Sequence, residues 1–154
     1  MREPTHGLGN IDNTRSNEQA EAYRRTIGEG ACPFCVIPQE IQDRMIHVGR
    51  HWRCWHNPFP YSGHGSHIML APLAHVSQPG ELSSEAWSEW GALVSMLIER
   101  FELPGGGLVM RFGENSFNGG SLTHLHSHIQ VPDKTGYAIA VFFADDRLKA
   151  LFKG

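Results

Sequence analysis

The stretch Thr123-His124-Leu125-His126-Ser127-His128-Ile129-Gln130-Val131 carries three histidines at alternate positions. Side chains of a β-strand alternate between its two faces, so a strand over this stretch would place the three imidazoles in one row. Pro132 follows the stretch and Gly119 and Gly120 precede it, which indicates a short strand entered from a tight turn. The sequence therefore predicts a strand with one polar face made only of histidine.

Three interpretations of this histidine row compete. Chance clustering on an exposed strand is the weakest, because imidazole is not a favoured strand former. A metal site is the second, since two histidines two positions apart on a strand can present nitrogens to one zinc ion, with a third ligand from elsewhere. The third makes one imidazole a nucleophile, because neutral imidazole is nucleophilic near neutral pH and can form a covalent intermediate. We favour the third interpretation.

The composition limits the class of partner. The 154 residues are enough for one domain with a real core. With 13 Lys and Arg against 16 Asp and Glu, the net charge is −3, so no overall basic field attracts a nucleic-acid polymer, although a nucleotide is possible. The longest apolar stretch, near Leu93–Ile98, is far shorter than the roughly 18 residues that span a membrane. We expect a cytoplasmic protein with a small-molecule substrate and no membrane partner.

The order of predicted elements indicates the fold class. Residues 1–14 are polar and are expected to be a disordered or draped tail, and residues 15–154 a single domain. The predicted helices are Arg15–Gly28 and a longer one that begins after Ser83 or Ser84 as N-cap. The other predicted strands are Met45–Val48, Trp52–His56, His67–Pro72, Leu108–Phe112 and Tyr137–Phe143.

Strands outnumber helices and mostly follow one another through tight turns, which favours an α+β domain with a mainly antiparallel sheet. In the long helix, apolar residues recur at spacings of three and four and form one stripe that must face a sheet or a partner. The stripe consists of Trp87, Trp90, Val94, Leu97 and Phe101.

Together with the loop Asn57-Pro58-Phe59-Pro60-Tyr61 and the strand around His67–Val76, the histidine row resembles the signature of the histidine triad (HIT) superfamily. The resemblance runs from about Cys32 to Pro132. The signature is His, apolar, His, apolar, His, apolar, apolar, and every histidine is present. Ser127 and Gln130 depart from it, because each stands where an apolar residue is usual. The resemblance implies a HIT-like α+β fold.

The resemblance also implies nucleotidyl transfer. The middle imidazole, His126, would attack the α-phosphorus of a nucleotide conjugate and hold a nucleotidyl group that water then removes. Phosphoryl transfer further needs donors around the phosphate oxygens. The positions that match the phosphate-binding residues of the family are His128, His67, Ser121, Gly119 and Gly120, and Asn57 matches the residue near the ribose. The resemblance thus makes His126, His128 and His67 the candidate catalytic residues. The candidate substrate-binding residues are Asn57, Ser121, Gly119, Gly120 and Gln130.

A second alignment of the signature is open. Gln130 also fits the His-x-His-x-Gln variant of the galactose-1-phosphate uridylyltransferase and dinucleotide phosphorylase branch. In that frame the pair is His126 and His128, and the nucleophile becomes His128. We favour the first frame because only it uses His124.

The cysteines indicate a metal site. Cys32-x-x-Cys35 can hold one tetrahedral ion but needs two more ligands. In zinc-containing bacterial HIT proteins and the uridylyltransferases, the other ligands match His75 and His124. The resemblance thus implies a Cys2His2 zinc site, and four protein ligands would make this zinc structural.

The leading hypothesis is a hydrolase of nucleotide conjugates, first dinucleoside polyphosphates such as diadenosine tetraphosphate and second nucleoside phosphoramidates. A phosphorylase or nucleotidyltransferase is the nearest alternative. Two further alternatives are a zinc enzyme whose histidine row holds a catalytic metal, and a non-catalytic nucleotide-binding module. Family members commonly form twofold dimers, so we expect a homodimer.

Overall fold

The computed structural model describes residues 7–135 and contains one five-stranded antiparallel sheet in the order β1-β2-β3-β5-β4. The strands are Met45–Val48 (β1), Trp52–His56 (β2), His64–Pro72 (β3), Gly107–Arg111 (β4) and His126–Pro132 (β5). The helices are Asn17–Gly28 (α1), Gln39–Gln42 (α2), Ser84–Arg100 (α3) and Asn115–Asn118 (α4). The predicted α+β class with an antiparallel sheet is confirmed. The predicted strand Tyr137–Phe143 lies outside the described residues.

The long helix α3 packs on one face of the sheet, as its apolar stripe predicts. The Ser83 hydroxyl caps the helix by accepting the N–H of Ala86. Val94 and Leu97 are buried against the sheet, in one cluster with side chains of β2, β3 and β5. Trp90 and Phe101 pack against the same cluster, whereas Trp87 is half-buried and packs edge-on against Trp90. Within residues 7–135, no helix is long and apolar enough to cross a membrane.

The opposite face of the sheet carries a second apolar cluster, which is covered by α1 and by the segment that contains the cysteine pair. Tyr23 of α1 packs edge-on against Phe34 at 6.2 Å between ring centroids. Phe34 in turn contacts Trp55 of β2 and the His126 ring of β5. This second face is therefore the one on which the histidines of β5 lie.

The histidine strand is shorter than predicted. β5 begins at His126, and His124 lies in the bend before the strand. The prediction that the strand itself holds all three imidazoles is therefore wrong for His124. The reason is that two interactions fix His124 elsewhere: its Nε2–H donates to the Pro72 carbonyl over 2.9 Å, and its Nδ1 lies 3.5 Å from the Cys32 thiol.

The described part of the N-terminal segment lies along the turn that precedes β5. Gly9 forms a β-bridge with Leu122. The Asn10 N–H donates to the Ser121 carbonyl over 2.9 Å. A short 3-10 turn over Ile11–Asn13 then leads into α1, which begins after Ser16 as N-cap. The N-terminal segment thus forms one wall beside the histidine face.

Ser127, one of the two departures from the family signature, has a specific partner on the α3 side. The Trp90 indole N–H donates to the Ser127 hydroxyl over 2.8 Å. We expect Ser127→Ala to cost about 1 kcal/mol of unfolding free energy, because the indole donor loses its acceptor. Urea unfolding measures this loss. Trp90→Phe is the control: if the Ser127→Ala change costs as much in that background as in the native chain, the pairing is contradicted.

Candidate active site

Three histidines from two neighbouring strands meet on the sheet face opposite α3. His126 and His128 project from β5, with ring centroids 5.0 Å apart. His67 projects from β3 and its Nε2 lies 2.8 Å from the Nδ1 of His128. All three are buried, His128 with 2% of its surface exposed. The structure thus brings together the three residues that the sequence assigned to catalysis.

A chain of hydrogen bonds fixes the tautomers of His67 and His128. The Asn57 side-chain oxygen accepts the Phe59 N–H over 2.9 Å, so its amide nitrogen faces His67, 3.2 Å from Nδ1 and 3.4 Å from Nε2. Because Nε2 also faces Nδ1 of His128, we assign the amide donor to the nearer Nδ1. His67 therefore carries its proton on Nε2 and donates it to Nδ1 of His128. The proton of His128 must then be on its Nε2, which is buried and has no partner among the described residues. His128 is thereby set to donate a hydrogen bond.

His126 carries its proton on Nδ1, whereas His67 and His128 carry theirs on Nε2. Its Nδ1 lies 2.7 Å from the backbone carbonyl of His124, to which it can only donate. This contact places the proton on Nδ1 and leaves the Nε2 of His126 with a free electron pair. A backbone carbonyl that orients an imidazole in this way fixes both the ring position and the reactive nitrogen.

Burial keeps these imidazoles neutral at physiological pH. It is the main cause that lowers the pKa of His126 to about 4, against the partly compensating hydrogen bond to the His124 carbonyl. Burial also lowers the pKa of His67 to about 3, helped by the positive charge of Arg15. His128 has a pKa well below its ordinary value for the same main reason. Neutral His126 is the nucleophilic form of the ring.

The rings of His126 and His128 line a narrow cleft of about 10 Å³, room for about one water molecule. Three of the predicted substrate-binding residues, Ser121, Gly119 and Gly120, form part of its wall. Gly119 ends α4 with φ +67, a left-handed conformation that favours glycine. The Gly120 N–H donates to the Asn118 side-chain oxygen over 2.7 Å, and a Cβ at this position would lie 2.8 Å from that oxygen. The two glycines therefore have a conformational reason for their place at the cleft.

Two arginines also line the cleft, and the sequence analysis missed both. Arg111 of β4 stands opposite His126 in the strand register and donates to the Tyr61 hydroxyl over 2.9 Å. Arg15 precedes α1 and places its guanidinium 4.0 Å from the centre of the Tyr61 ring. The sequence offered no signal for either residue, because their position depends on strand register and on where the N-terminal segment lies.

Two predicted substrate-binding residues occupy other positions. Asn57 is buried and orients His67, as described above. Gln130 pairs with His67 across the β3–β5 ladder but is not among the residues that line the cleft. The geometry thus gives Asn57 a role in the hydrogen-bond chain and places Gln130 beside the site.

The four predicted metal ligands form one cluster. The ligand atoms of Cys32, Cys35, His75 and His124 all lie within 4.8 Å of one another and could hold a metal ion. The Cys35 thiol lies 3.2 Å from Nδ1 of His75 and 3.5 Å from Nδ1 of His124. The Pro72 carbonyl accepts Nε2–H of His124, which leaves Nδ1 as the ligand nitrogen.

Comparisons with known proteins agree with this geometry at the level of the fold. A solved structure described as "Hit Like Protein" matches with TM-score 0.51 and 18% identity, covering 58% of this chain and 86% of its own. The chain has the histidine triad fold. A histidine triad nucleotide-binding protein from Candida albicans matches with TM-score 0.50 and 16% identity, covering 70% and 81%. A HIT family hydrolase from Clostridium thermocellum matches with TM-score 0.50 and 16% identity, covering 62% and 84%. No family model and no curated protein sequence matches this chain.

The folding stability of this chain depends on pH, because its buried imidazoles stay neutral in the native state. An unfolded histidine binds a proton below about pH 6.5, whereas His67 in the native state does so only near pH 3. Between these values the unfolded state binds more protons, so stability falls as the pH falls, by about 1.4 kcal/mol per pH unit for one such group.

Between pH 6 and 4, we expect the unfolding free energy of His67→Asn to fall by about 1 kcal/mol less per pH unit than that of the native chain. The reason is that the variant lacks the imidazole that binds a proton in the unfolded state but not in the native state. Urea unfolding at several pH values gives both slopes. The control is His47→Asn, which removes an exposed imidazole of β1 and should leave the slope unchanged. Equal slopes for His67→Asn and the native chain would contradict a neutral, buried His67.

Proposed function

We propose that this chain hydrolyses nucleotide conjugates by transferring the nucleotidyl group first to His126 and then to water. The observation that carries the proposal is the His126 ring, with Nδ1 held by the His124 carbonyl and the ring lining a small polar cleft. Two solved structures of the same fold support it by name, one as a nucleotide-binding protein and one as a hydrolase.

In the first step, the electron pair on Nε2 of His126 attacks the α-phosphorus of the conjugate. A P–N bond forms, the bond between phosphorus and the leaving group breaks, and its electron pair departs with the leaving group, which takes up a proton from solvent when it is an amine. The Nε2–H of His128 and the Ser121 hydroxyl would donate to the phosphate oxygens, and Gly119 and Gly120 would line the phosphate without donating, because their N–H groups bond to Asn115 and Asn118. Positioning and charge stabilisation of this kind carry most of the catalysis in phosphoryl transfer.

In the second step, the oxygen of a water molecule attacks the same phosphorus. The P–N bond breaks, its electron pair returns to Nε2 of His126, and one proton of the water is released to solvent. His128 donates again to the phosphate oxygens in this step, because its Nδ1 is occupied by His67. The hydrogen-bond chain therefore favours His126 over His128 as the nucleophile.

The proposed substrates are dinucleoside polyphosphates such as diadenosine tetraphosphate first, and nucleoside phosphoramidates second. Both classes present a nucleotidyl group joined to a group that can leave. A nucleotide is also compatible with the chain's lack of an overall basic field. The expected homodimer stays a prediction.

We further propose that the metal of the four-ligand cluster is zinc. A tetrahedral zinc with Zn–S of about 2.3 Å and Zn–N of about 2.0 Å separates sulfur and nitrogen ligands by about 3.5 Å. The Cys32 and Cys35 thiols each lie 3.5 Å from Nδ1 of His124. Four protein ligands leave no open position, so the ion would have a structural role, tying residues 32–35 to the residue that orients His126.

The nucleophile can be tested by trapping. We expect His126→Gly to lower turnover of diadenosine tetraphosphate by about 10³-fold or more, because no covalent intermediate can form. Acid quenching of the native chain during turnover should leave an adenylyl group on the peptide that contains His126. Peptide mass spectrometry locates it.

The control for this experiment is His47→Gly, on exposed β1, which should keep native turnover. A nucleotidyl adduct on His128, or full turnover by His126→Gly, would contradict the assignment. Excess phosphate serves as a second acceptor: ADP that carries the added phosphate would identify a phosphorylase instead of a hydrolase.

Metal removal separates a structural ion from a catalytic one. We expect one zinc per chain by elemental analysis, and a loss of about 3 kcal/mol or more of stability when it is chelated, because the ion binds only the native ligand arrangement. Activity should decline in step with the native near-ultraviolet circular dichroism. Immediate loss of activity in a chain that keeps its native spectrum and melting temperature would indicate a catalytic metal.

A further inference from the structure

The catalytic cleft is lined by positively charged side chains, although the chain as a whole has a negative net charge. Arg15 and Arg111 both line it, and no Asp or Glu of the described residues does. The whole chain, by contrast, has a net charge of −3. In a partly water-excluded cleft, such cations act on a ligand more strongly than at an open surface. The cleft is thus suited to a ligand with several negative charges.

Arg15 is held in place by contacts that do not use its full hydrogen-bonding capacity. Its guanidinium lies on the Tyr61 ring, and its Nε–H donates to the Phe59 carbonyl over 3.4 Å. Within residues 7–135, no carboxylate lies within ion-pair distance of it. A guanidinium held through Nε keeps its two terminal nitrogens for the paired contact that arginine makes with phosphate.

Tyr61 connects Arg15 to the catalytic histidines. Its ring stacks on His67 with an interplanar angle of 9° and a centroid separation of 5.5 Å, and Arg15 lies against the same ring. The Arg15 charge also contributes, after burial and other causes, to the lowered pKa values of His126 and His128. Arg15 therefore lies within electrostatic reach of the group that would be transferred.

Arg15 and Tyr61 also form the boundary between two cavities. Both line the catalytic cleft of about 10 Å³. Both also line an open groove of about 510 Å³, with Pro58, Phe59 and Pro60 and with one carboxylate, that of Glu18. Ligand pockets usually measure about 300–1,000 Å³, so the groove has the size of a ligand pocket, whereas the cleft is a narrow recess that shares Arg15 and Tyr61 with it. A ligand that extends from one cavity into the other must pass the Arg15 guanidinium.

We propose that Arg15 binds the phosphate next to the reacting one and so makes the site selective for conjugates whose leaving group is a polyphosphate. This inference rests on the proposed nucleotidyl transfer through His126. A polyphosphate leaving group carries its negative charges past Arg15 into the outer groove. The amine that leaves from a phosphoramidate is uncharged at this position and gains nothing from the guanidinium.

Two substrates with the same adenylyl group test the selectivity. Diadenosine tetraphosphate and adenosine 5′-phosphoramidate would both give adenylyl-His126, so they differ only in the leaving group. We expect Arg15→Met to lower kcat/KM for the tetraphosphate about 100-fold and for the phosphoramidate at most about 5-fold, with the tetraphosphate loss mainly in KM. Arg15→Lys should recover part of the loss, because it restores the charge without the paired geometry.

A binding measurement provides a readout without turnover. We expect the native chain to bind inorganic tripolyphosphate in calorimetry, and Arg15→Met to bind it at least about 10-fold more weakly. Arg24→Met is the matched control, since Arg24 is an exposed arginine of α1 and should leave both binding and the kcat/KM ratio at native values. Melting temperature and zinc content confirm that each variant is folded.

The outcomes separate the two proposals. If Arg15→Met lowers kcat/KM for both substrates by the same factor, or leaves tripolyphosphate binding unchanged, the role of Arg15 in selectivity is overturned while transfer through His126 stands. If the native chain cleaves neither substrate and forms no adenylyl adduct, the proposed function fails. In that case the tripolyphosphate measurement still decides whether Arg15 binds a polyphosphate.

Discussion

The hydrogen bond from the His124 imidazole to the Pro72 carbonyl is the constraint on which the site depends. Because this bond uses Nε2–H, only Nδ1 of His124 can face the thiols of Cys32 and Cys35. The backbone carbonyl of the same residue accepts Nδ1–H of His126. One residue therefore determines both the geometry of the metal-ligand cluster and the tautomer of the proposed nucleophile. A change that released the His124 ring would disturb the two together, since side chain and carbonyl belong to one short bend before β5.

The polar face of the sheet is stable because its buried groups satisfy one another in a fixed direction. The donors run from the Phe59 amide through Asn57 and His67 to His128, and each ring accepts at one nitrogen and donates at the other. Buried polar atoms are normally paired, so an unpaired one marks a place where a partner is expected. Here that atom is Nε2 of His128, beside the cleft. Within the chain from Asn57 to His128, the arrangement of protons is thus complete except at the position where a phosphate oxygen would accept; beside this chain, Nε2 of His64 also has no partner among the described residues.

The sequence was sufficient for those features that depend on short-range periodicity. The hairpin Met45–Val48 and Trp52–His56 has the predicted bounds, and Ser83 caps α3. The bend at His124 could not be predicted, because it results from contacts with residues 52 and about 90 positions away in the chain. Arg111 was missed for a related reason, since its position opposite His126 depends on strand register. Ser127 departed from the family signature without an evident reason until its hydroxyl was found to accept from Trp90 on α3.

The site also depends on chain that precedes the region of family resemblance. The Asn13 amide donates to the Gly120 carbonyl over 2.8 Å and thereby fixes the turn beside the phosphate position, and Arg15 follows two residues later. The histidines belong to the sheet, whose register and hydrogen-bond chain leave little freedom for change. Arg15 belongs to no strand, and it contacts the histidine chain through the Tyr61 ring and through the Phe59 carbonyl. Under the proposed function, a substitution at Arg15 would therefore alter which leaving group is bound, whereas the His126 tautomer is set by the His124 carbonyl on another part of the fold.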